Sequence, residues 1–357
     1  MSIESIIQKT VSHWMQASGR LNDVVISSRI RLARNLEGYP FPLELSESQA
    51  LELINQVKEA VAKAPDGPFE YVSLSEISPL ERHVLVEKHL VSPQYVENPM
   101  GRGVAINDDQ SISIMVNEED HLRIQCFLPG FNLEEAWDCA AKVDDLLEAS
   151  LDIAFDEKIG FLTACPTNVG TGLRASAMVH LPALVMTNQV NRVLGSLPQL
   201  GLTVRGLFGE GSDAMGNLFQ ISNQVTLGKT EEDILANLSA VTSQIVDKER
   251  EARQSLSEGA KEQLEDRVWR AYGLLTNARL IPGQEALKLL SDVRLGADLG
   301  FISNLELEVF NELIVSTGPA HLQYFAGQEI NSMARAGQRA ILIRSRLINA
   351  DREEQRC

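Results

Sequence analysis

The chain has 357 residues, 44% of them hydrophobic and 23% charged, which is room for roughly two domains with a sizeable core. A formal net charge of -17 disfavours a nucleic-acid binder held by phosphate contacts, and the lack of any run of about 18 apolar residues excludes a membrane span. Cys126, Cys139, Cys165 and Cys357 show no CxxC spacing, and the N-terminus lacks the basic start and apolar core of a signal peptide, so a cytoplasmic protein is expected.

The segment Ser27-Ser28-Arg29-Ile30-Arg31 sets two arginines at strand spacing, so both point one way. Ser46-x-x-Gln49 has the form of a capping box, and Leu53, Ile54, Val57 and Val61 recur at helical spacing until Pro65. Ser111 to Val116 alternates polar and apolar, and Leu122, Ile124 and Cys126 alternate again, which predicts a hairpin with Glu118, Glu119 and Asp120 at its tip. A helix follows Asn132. From Thr163 to Pro182 the chain reads TACPTNVGTGLRASAMVHLP. Cys165 precedes Pro166 and is therefore extended or in a turn, while Gly170 and Gly172 allow torsions closed to other residues. Gly170-x-Gly172-x-x-Ala175 imitates half a dinucleotide fingerprint, but no acidic residue follows about 20 positions later in a βαβ setting.

Further on, Thr203 to Phe208 and Leu218 to Val225 read as another strand pair, joined by a glycine-rich loop that carries Glu210. A long helix starts at Thr230, with acids in its first turn, Ile234, Leu235, Leu238, Val241 and Ile245 on one face, and Lys248, Arg250 and Arg253 near its end. Helical runs then span about 257 to 278, 283 to 298, 304 to 315 and 328 to 349. Mixed structure up to residue 253 and helices alone from 254 to 357 predict an α+β domain followed by an all-α domain.

Four polar segments each carry an arginine: the one at Arg29 and Arg31, the hairpin with Arg123, the Cys165 loop ending at Arg174, and the strand with Arg205. Arginines in such an arrangement suit bidentate clamping of a polyphosphate. Taken singly, each is as readily an ordinary surface charge.

Together, and in this order, the segments resemble the phosphagen (guanidino) kinase family, with VNEEDHLRI and CPTNVGTGLRAS carrying the resemblance most specifically. The resemblance covers roughly residues 20 to 250 and implies a phosphagen-kinase-like domain, a mainly antiparallel sheet flanked by helices, that transfers phosphate from ATP to a guanidino group. It implies that Arg29, Arg31, Arg123, Arg174 and Arg205 hold the nucleotide phosphates, with Ser27 beside them and His89, in an LxxxHL-like segment, on the nucleotide side. Glu119 and Glu210 resemble the carboxylates that grip the guanidinium, and Cys165 the thiolate beside it. Glu118 and Asp120 are expected to reach Mg2+ through water. No Walker motif, HRD loop or DFG is present. Met178 stands where small-molecule relatives have a histidine, which leaves the base contacts open.

Only 28 residues precede Arg29, while about a hundred residues of helix follow the kinase-like region. This layout resembles the bacterial protein-arginine kinase branch, and implies an open guanidine pocket that accepts arginine on a protein surface. The same resemblance implies an activator protein and a Clp ATPase or protease as partners. The segment Arg335-Ala336-Gly337-Gln338-Arg339-Ala340 is similar to an RDxxRA-like phosphoarginine motif, with Ala336 departing from the acidic position. Arg335 and Arg339 are four apart and share a helix face, as an arginine pair on a solvated face also does. Apolar residues around Leu305 to Ile314 suggest a homodimer. A small-molecule guanidino kinase and a noncatalytic phosphoarginine-binding adaptor are the alternative readings.

Overall fold

The structure, a computed structural model, describes residues 3–64, 69–206, 215–303 and 305–353, so Glu210 and its loop lie outside the described residues. Helix α1 (Ile3–Gln8) leads to strand β1 (Val25–Arg34) and helix α2 (Glu47–Val61). Then come β2 (Glu70–Ser73), α3 (Pro79–Glu87), β3 (Gly103–Ile106), β4 (Ile112–Val116), β5 (Leu122–Pro129) and α4 (Leu133–Glu148). A small hairpin of β6 (Phe155–Asp156) and β7 (Gly160–Phe161) precedes β8 (Leu173–His180), α5 (Pro182–Met186), α6 (Val190–Leu194), β9 (Leu202–Arg205) and β10 (Leu218–Asn223). Six helices complete the described chain: α7 (Glu231–Gly259), α8 (Lys261–Asn277), α9 (Gly283–Asp298), α10 (Leu307–Ser316), α11 (Pro319–Ala326) and α12 (Ser332–Glu353).

Local chemistry accounts for the helix starts. Ser46, Ser78 and Thr230 each accept from the backbone N–H three residues on, while Gln49, Glu81 and Asp233 bond back to the cap, so α2, α3 and α7 all open with a capping box. In α3 Pro79 occupies the first turn, where its missing N–H costs nothing.

Eight strands form one antiparallel sheet in the order β2-β3-β4-β5-β1-β8-β10-β9, so β1 is central. Residues directly opposite in a ladder share a face, and the register therefore sorts the sheet into two surfaces. Ile30, Leu32, Ile124, Cys126, Ala175, Ala177 and Ile221 lie on one, packed with residues of α2, α4 and α7 in the main core. Arg29 and Arg31 lie on the other, and so do their partners Phe127, Gln125, Ser176 and Arg174.

This second face is covered at both ends. At the β2–β4 end, Val72, Val104 and Met115 pack with Leu85 and Val86 of α3. Toward the opposite end, Ile26, Phe127, Met178 and Leu218 pack with Trp14, Met15 and Val315 of α10. The helical region thus forms part of the sheet's cover as well as having its own core around Val268, Leu275, Leu290, Phe310, Leu313 and Leu347.

Several expectations change. Helix α7 runs unbroken through Arg253 to Gly259, and Arg253 is buried, bonding Glu249 on its own helix at 2.9 Å and Asp298 on α9 at 3.2 Å. The run expected over 328 to 349 is a single helix, α12, which begins at Ser332, and an additional helix, α11, precedes it and ends where Gly327 takes a left-handed conformation (φ 65°). The apolar residues around Leu305 to Ile314 are used within the chain. Phe310 and Leu313 are buried in the helical core with Leu305, Leu307 and Val309 partly buried against it, and Ile314 is partly buried under the sheet.

Candidate active site

Between the two covered ends, the second sheet face opens into a cavity of about 420 Å³. Its lining includes Arg29, Arg31, Arg123, Arg174 and Arg205, together with His89, Glu118, Glu119 and Cys165. The register explains the convergence of the arginines. Arg31 is opposite Arg174 on β8, Arg123 is opposite Ala33 two residues along β1, and Arg205 is opposite Gln220, itself opposite Met178 on that face. The third arginine of β1, Arg34, has the other parity and is neutralised by Asp144 on α4 at 2.7 Å.

Crowding leaves an electrostatic mark. Burial, then Arg123, Arg174 and Arg205, lower the Arg29 guanidinium to about 10. Burial, then Arg29, Arg123 and Arg174, hold Arg31 well below its usual value, with only Glu118 opposing them. An arginine does not deprotonate in a protein near neutral pH, so these shifts mean that the cations gain when an anion enters.

The hairpin tip is held from three sides. Asn117 takes φ 64° and its side chain donates to Gly101 O at 2.9 Å; Glu118 N donates to Asp120 O at 3.0 Å. Asp120 is fully buried. Its Oδ1 accepts from Asn35 Nδ2 and from the backbone N of Ala164, both at 2.7 Å, and it does not line the cavity. Since Ala164 precedes Cys165, Asp120 fixes the thiol loop relative to the hairpin. His121 accepts from Leu36 N at Nδ1 and donates from Nε2 to Pro40 O at 2.8 Å, which sets its tautomer. At the front of the tip, Arg123 meets Glu118 at 2.5 Å and Glu119 at 3.2 Å, and Glu119 remains 47% exposed.

The thiol loop is a tied turn. Cys165 O accepts from Thr163 Oγ1 and from Asn168 N, and Thr226 Oγ1 anchors Thr167 O and Val169 O. Gly172 has φ 64°, and a Cβ there would lie 2.6 Å from Ala33 O and from Arg34 Nη1, so glycine lets the loop enter β8 against β1. The Cys165 thiol lies 3.0 Å from Thr167 Oγ1 and opens to the cavity.

On the far wall, His89 adopts φ 60° directly after α3, and its ring meets Trp14 and Phe127 edge-on at 5.4 and 6.2 Å. Burial, then Arg29, depress this imidazole to about 3, so it is neutral. Trp14 stacks on Phe127 at 4.8 Å, and Arg29 sits 5.6 Å above the Phe127 ring.

Some expected residues stand apart. Ser27 is buried on the arginine face, opposite Met178, and neither lines the cavity; Met178 belongs to the apolar cluster under α10. Arg335 donates to Ile330 O at 2.7 Å, and Arg339 to Thr317 O and Ile281 O at 2.9 and 3.0 Å, far from any shared solvated face because Arg339 is buried. Other cavity residues went unnoticed in the sequence. Gln125 could have been found by counting two residues from Arg123 along the strand. Ser92, Arg102, Thr167 and Asn168 come from turns, for which periodicity carries no signal.

Comparison with known proteins agrees with this geometry. The ATP:guanido phosphotransferase C-terminal catalytic domain matches residues 52–252, and the protein-arginine kinase McsB C-terminal domain matches residues 261–356. The chain is 53% identical over 357 residues to the protein-arginine kinase of Desulforamulus reducens, covering 99% of this chain and 100% of that protein. It is 52% identical to the protein-arginine kinase of Brevibacillus brevis, again covering 99% and 100%. Among solved structures, the duplicated taurocyamine kinase from Schistosoma mansoni with bound transition state analog components is similar at TM-score 0.60 and 26% identity, over 76% of this chain and 41% of that one. A sheet face of five arginines, a paired-glutamate hairpin and a thiol loop, in a chain with these relatives from end to end, make it a member of the phosphagen kinase family, among the bacterial protein-arginine kinases.

Proposed function

We propose that the chain transfers the γ-phosphate of MgATP to the guanidinium of arginine side chains in proteins. The observation that carries this reading is the pairing, around one cavity, of five arginines from four strands with Glu119 and Cys165. The arginines clamp the triphosphate and are already in place when charge spreads over the transferring group, so no reorganisation is needed during the reaction. Among the described residues no group of three or more His, Cys, Asp or Glu is arranged to hold a metal ion. Mg2+ would enter on the triphosphate, with Glu118 reaching it through water and Asp120 supporting the tip from behind, and would supply neutralisation of phosphate charge.

A guanidinium is a poor nucleophile because its charge is delocalised. Glu119, with Glu210 from the loop outside the described residues, orients the planar fork and takes up the proton lost by the attacking nitrogen. An N–P bond forms as the bond from the γ-phosphorus to the ADP oxygen breaks. Cys165, as thiolate, polarises the guanidinium further. The product is phosphoarginine in a protein, which on the family pattern marks substrates for Clp-type proteolysis and involves an activator protein. On the family pattern, Arg335, which donates to Ile330 O, and Arg339, which is buried and donates to Thr317 O and Ile281 O, are the positions for phosphoarginine recognition in the helical region.

Mass spectrometry under non-acidic handling, after incubation of denatured casein with the chain and MgATP, tests the reading. Acid-labile phosphoarginine is expected. Faster phosphorylation of free arginine or creatine than of protein would point to a small-molecule kinase, and ATP left unused would point to a binding adaptor.

A further inference from the structure

We propose that Glu87, outside the cavity and on the last turn of α3, is a positioning residue for the nucleotide-side wall, acting through a buried joint with His321 of the helical region. This rests on the kinase reading above. The Glu87 carboxylate turns away from the cavity. Its Oε1 accepts from Ala320 N at 2.7 Å, and its Oε2 accepts from His321 N at 2.8 Å and lies 2.7 Å from His321 Nδ1. Both residues are buried, and a Cβ on Gly318 would come within 2.4 to 2.7 Å of the carboxyl atoms, so Gly318 leaves the space that the carboxylate fills.

Burying a carboxylate is costly unless its lone pairs are met, and one that only filled space would be served better by an apolar side chain. What the joint fixes is the start of the cavity wall. Two residues beyond Glu87 the chain turns left-handed at His89, whose ring lines the cavity and whose carbonyl accepts from Gln125 Nε2 at 2.8 Å. Three residues further, Ser92 Oγ donates to Glu118, the carboxylate paired with Arg123. A short wall segment is therefore pinned at one end to α11 and at the other to the hairpin that carries Glu118 and Glu119. Release of the α11 end lets His89 and Ser92 drift together relative to the arginines.

Full-length Glu87→Gln, Glu87→Leu, His321→Ala and His321→Asn chains test this, with equilibrium binding of MgATP read first and transfer to denatured casein second. Glu87→Gln and His321→Ala should each weaken MgATP binding by about tenfold, as expected for displaced positioning groups, while the KM for casein moves less than about twofold. The two should not add when combined, because they break one joint. His321→Asn, whose amide N–H can stand in for Nδ1–H, should restore binding. Unchanged MgATP affinity in both Glu87→Gln and His321→Ala, or wild-type affinity in Glu87→Leu, would overturn the proposal. If the Glu87 variants fail to fold, the His321 pair decides alone: equal affinities for Ala and Asn overturn it. A wild-type chain that binds MgATP yet phosphorylates nothing would refute the kinase reading and leave this binding test intact.

Discussion

Arg31 and Arg174 stand directly opposite one another on β1 and β8, two cations side by side in adjacent central strands. Like charges opposed across a ladder destabilise a sheet, so the fold holds this pair at a cost that an anion relieves. Arg31→Gln should raise the stability of the ligand-free chain by about 0.5 kcal/mol. The same change should remove most of the thermal stabilisation by MgATP, which for the wild type should reach about 2.7 kcal/mol at a hundred times Kd. Melting curves with and without MgATP check this; an undiminished ligand-induced shift in the variant would remove Arg31 from the phosphate clamp.

Glu119 shares Arg123 with Glu118, so a neutral side chain there should leave the nucleotide site equally or more cationic. Glu119→Gln is expected to keep MgATP affinity within about threefold while kcat falls by about 10² to 10⁴, the usual range for loss of a proton acceptor. Glu210→Gln should behave alike. Calorimetric binding alongside transfer assays separates the two effects, and normal turnover in either variant would exclude that carboxylate from proton transfer.

Cys165 sits in a loop whose shape depends on its backbone carbonyl and on Thr226, and its side chain bonds only Thr167 Oγ1 among the described residues. Cys165→Ser should therefore leave stability within about 0.5 kcal/mol. Turnover should fall by about tenfold, since a hydroxyl does not ionise to supply the thiolate's charge. Full turnover would assign the thiol to packing.

Asp298 provides a pH signature away from the cavity. Burial raises its carboxyl to about 6, against Arg294 and Arg253, which pull it down. The 3.2 Å pair with Arg253 does not reverse this, because burial is the largest effect and the Asp23 carboxylate adds to it. Between pH 3.8 and about 6 the folded chain holds a proton that the unfolded chain has released. Stability from this group is thus complete below pH 3.8 and lost as pH rises through about 6. Asp298→Asn should abolish that slope and match or exceed the wild type at pH 7. Parallel melting-temperature curves for the two chains across this interval would rule the assignment out.

How much of this was legible follows from which residues obey a period. Alternation put Arg29 and Arg31 on one face, and turn chemistry put Glu118 to Asp120 at a hairpin tip, both as found. Asp120 looked like its neighbours in the sequence, but the fold buries it as a strut, since its burial depends on Asn35 and Ala164 from distant segments. In the wall from Glu87 to Ser92 only His89 was legible, through the family resemblance, because the segment's shape comes from a left-handed residue and from contacts with α11, more than 230 positions away. Met178 likewise could not be placed until Trp14 and Val315 were seen to cover it.

From Arg29 to Leu32, strand β1 alternates between the arginine-lined face and the main core. A shift of one residue in its pairing would drive Arg29 and Arg31 into hydrocarbon and strand Ile30 and Leu32 on the face of the arginine cluster. Correct assembly of the sheet and correct assembly of the anion receptor are consequently the same event.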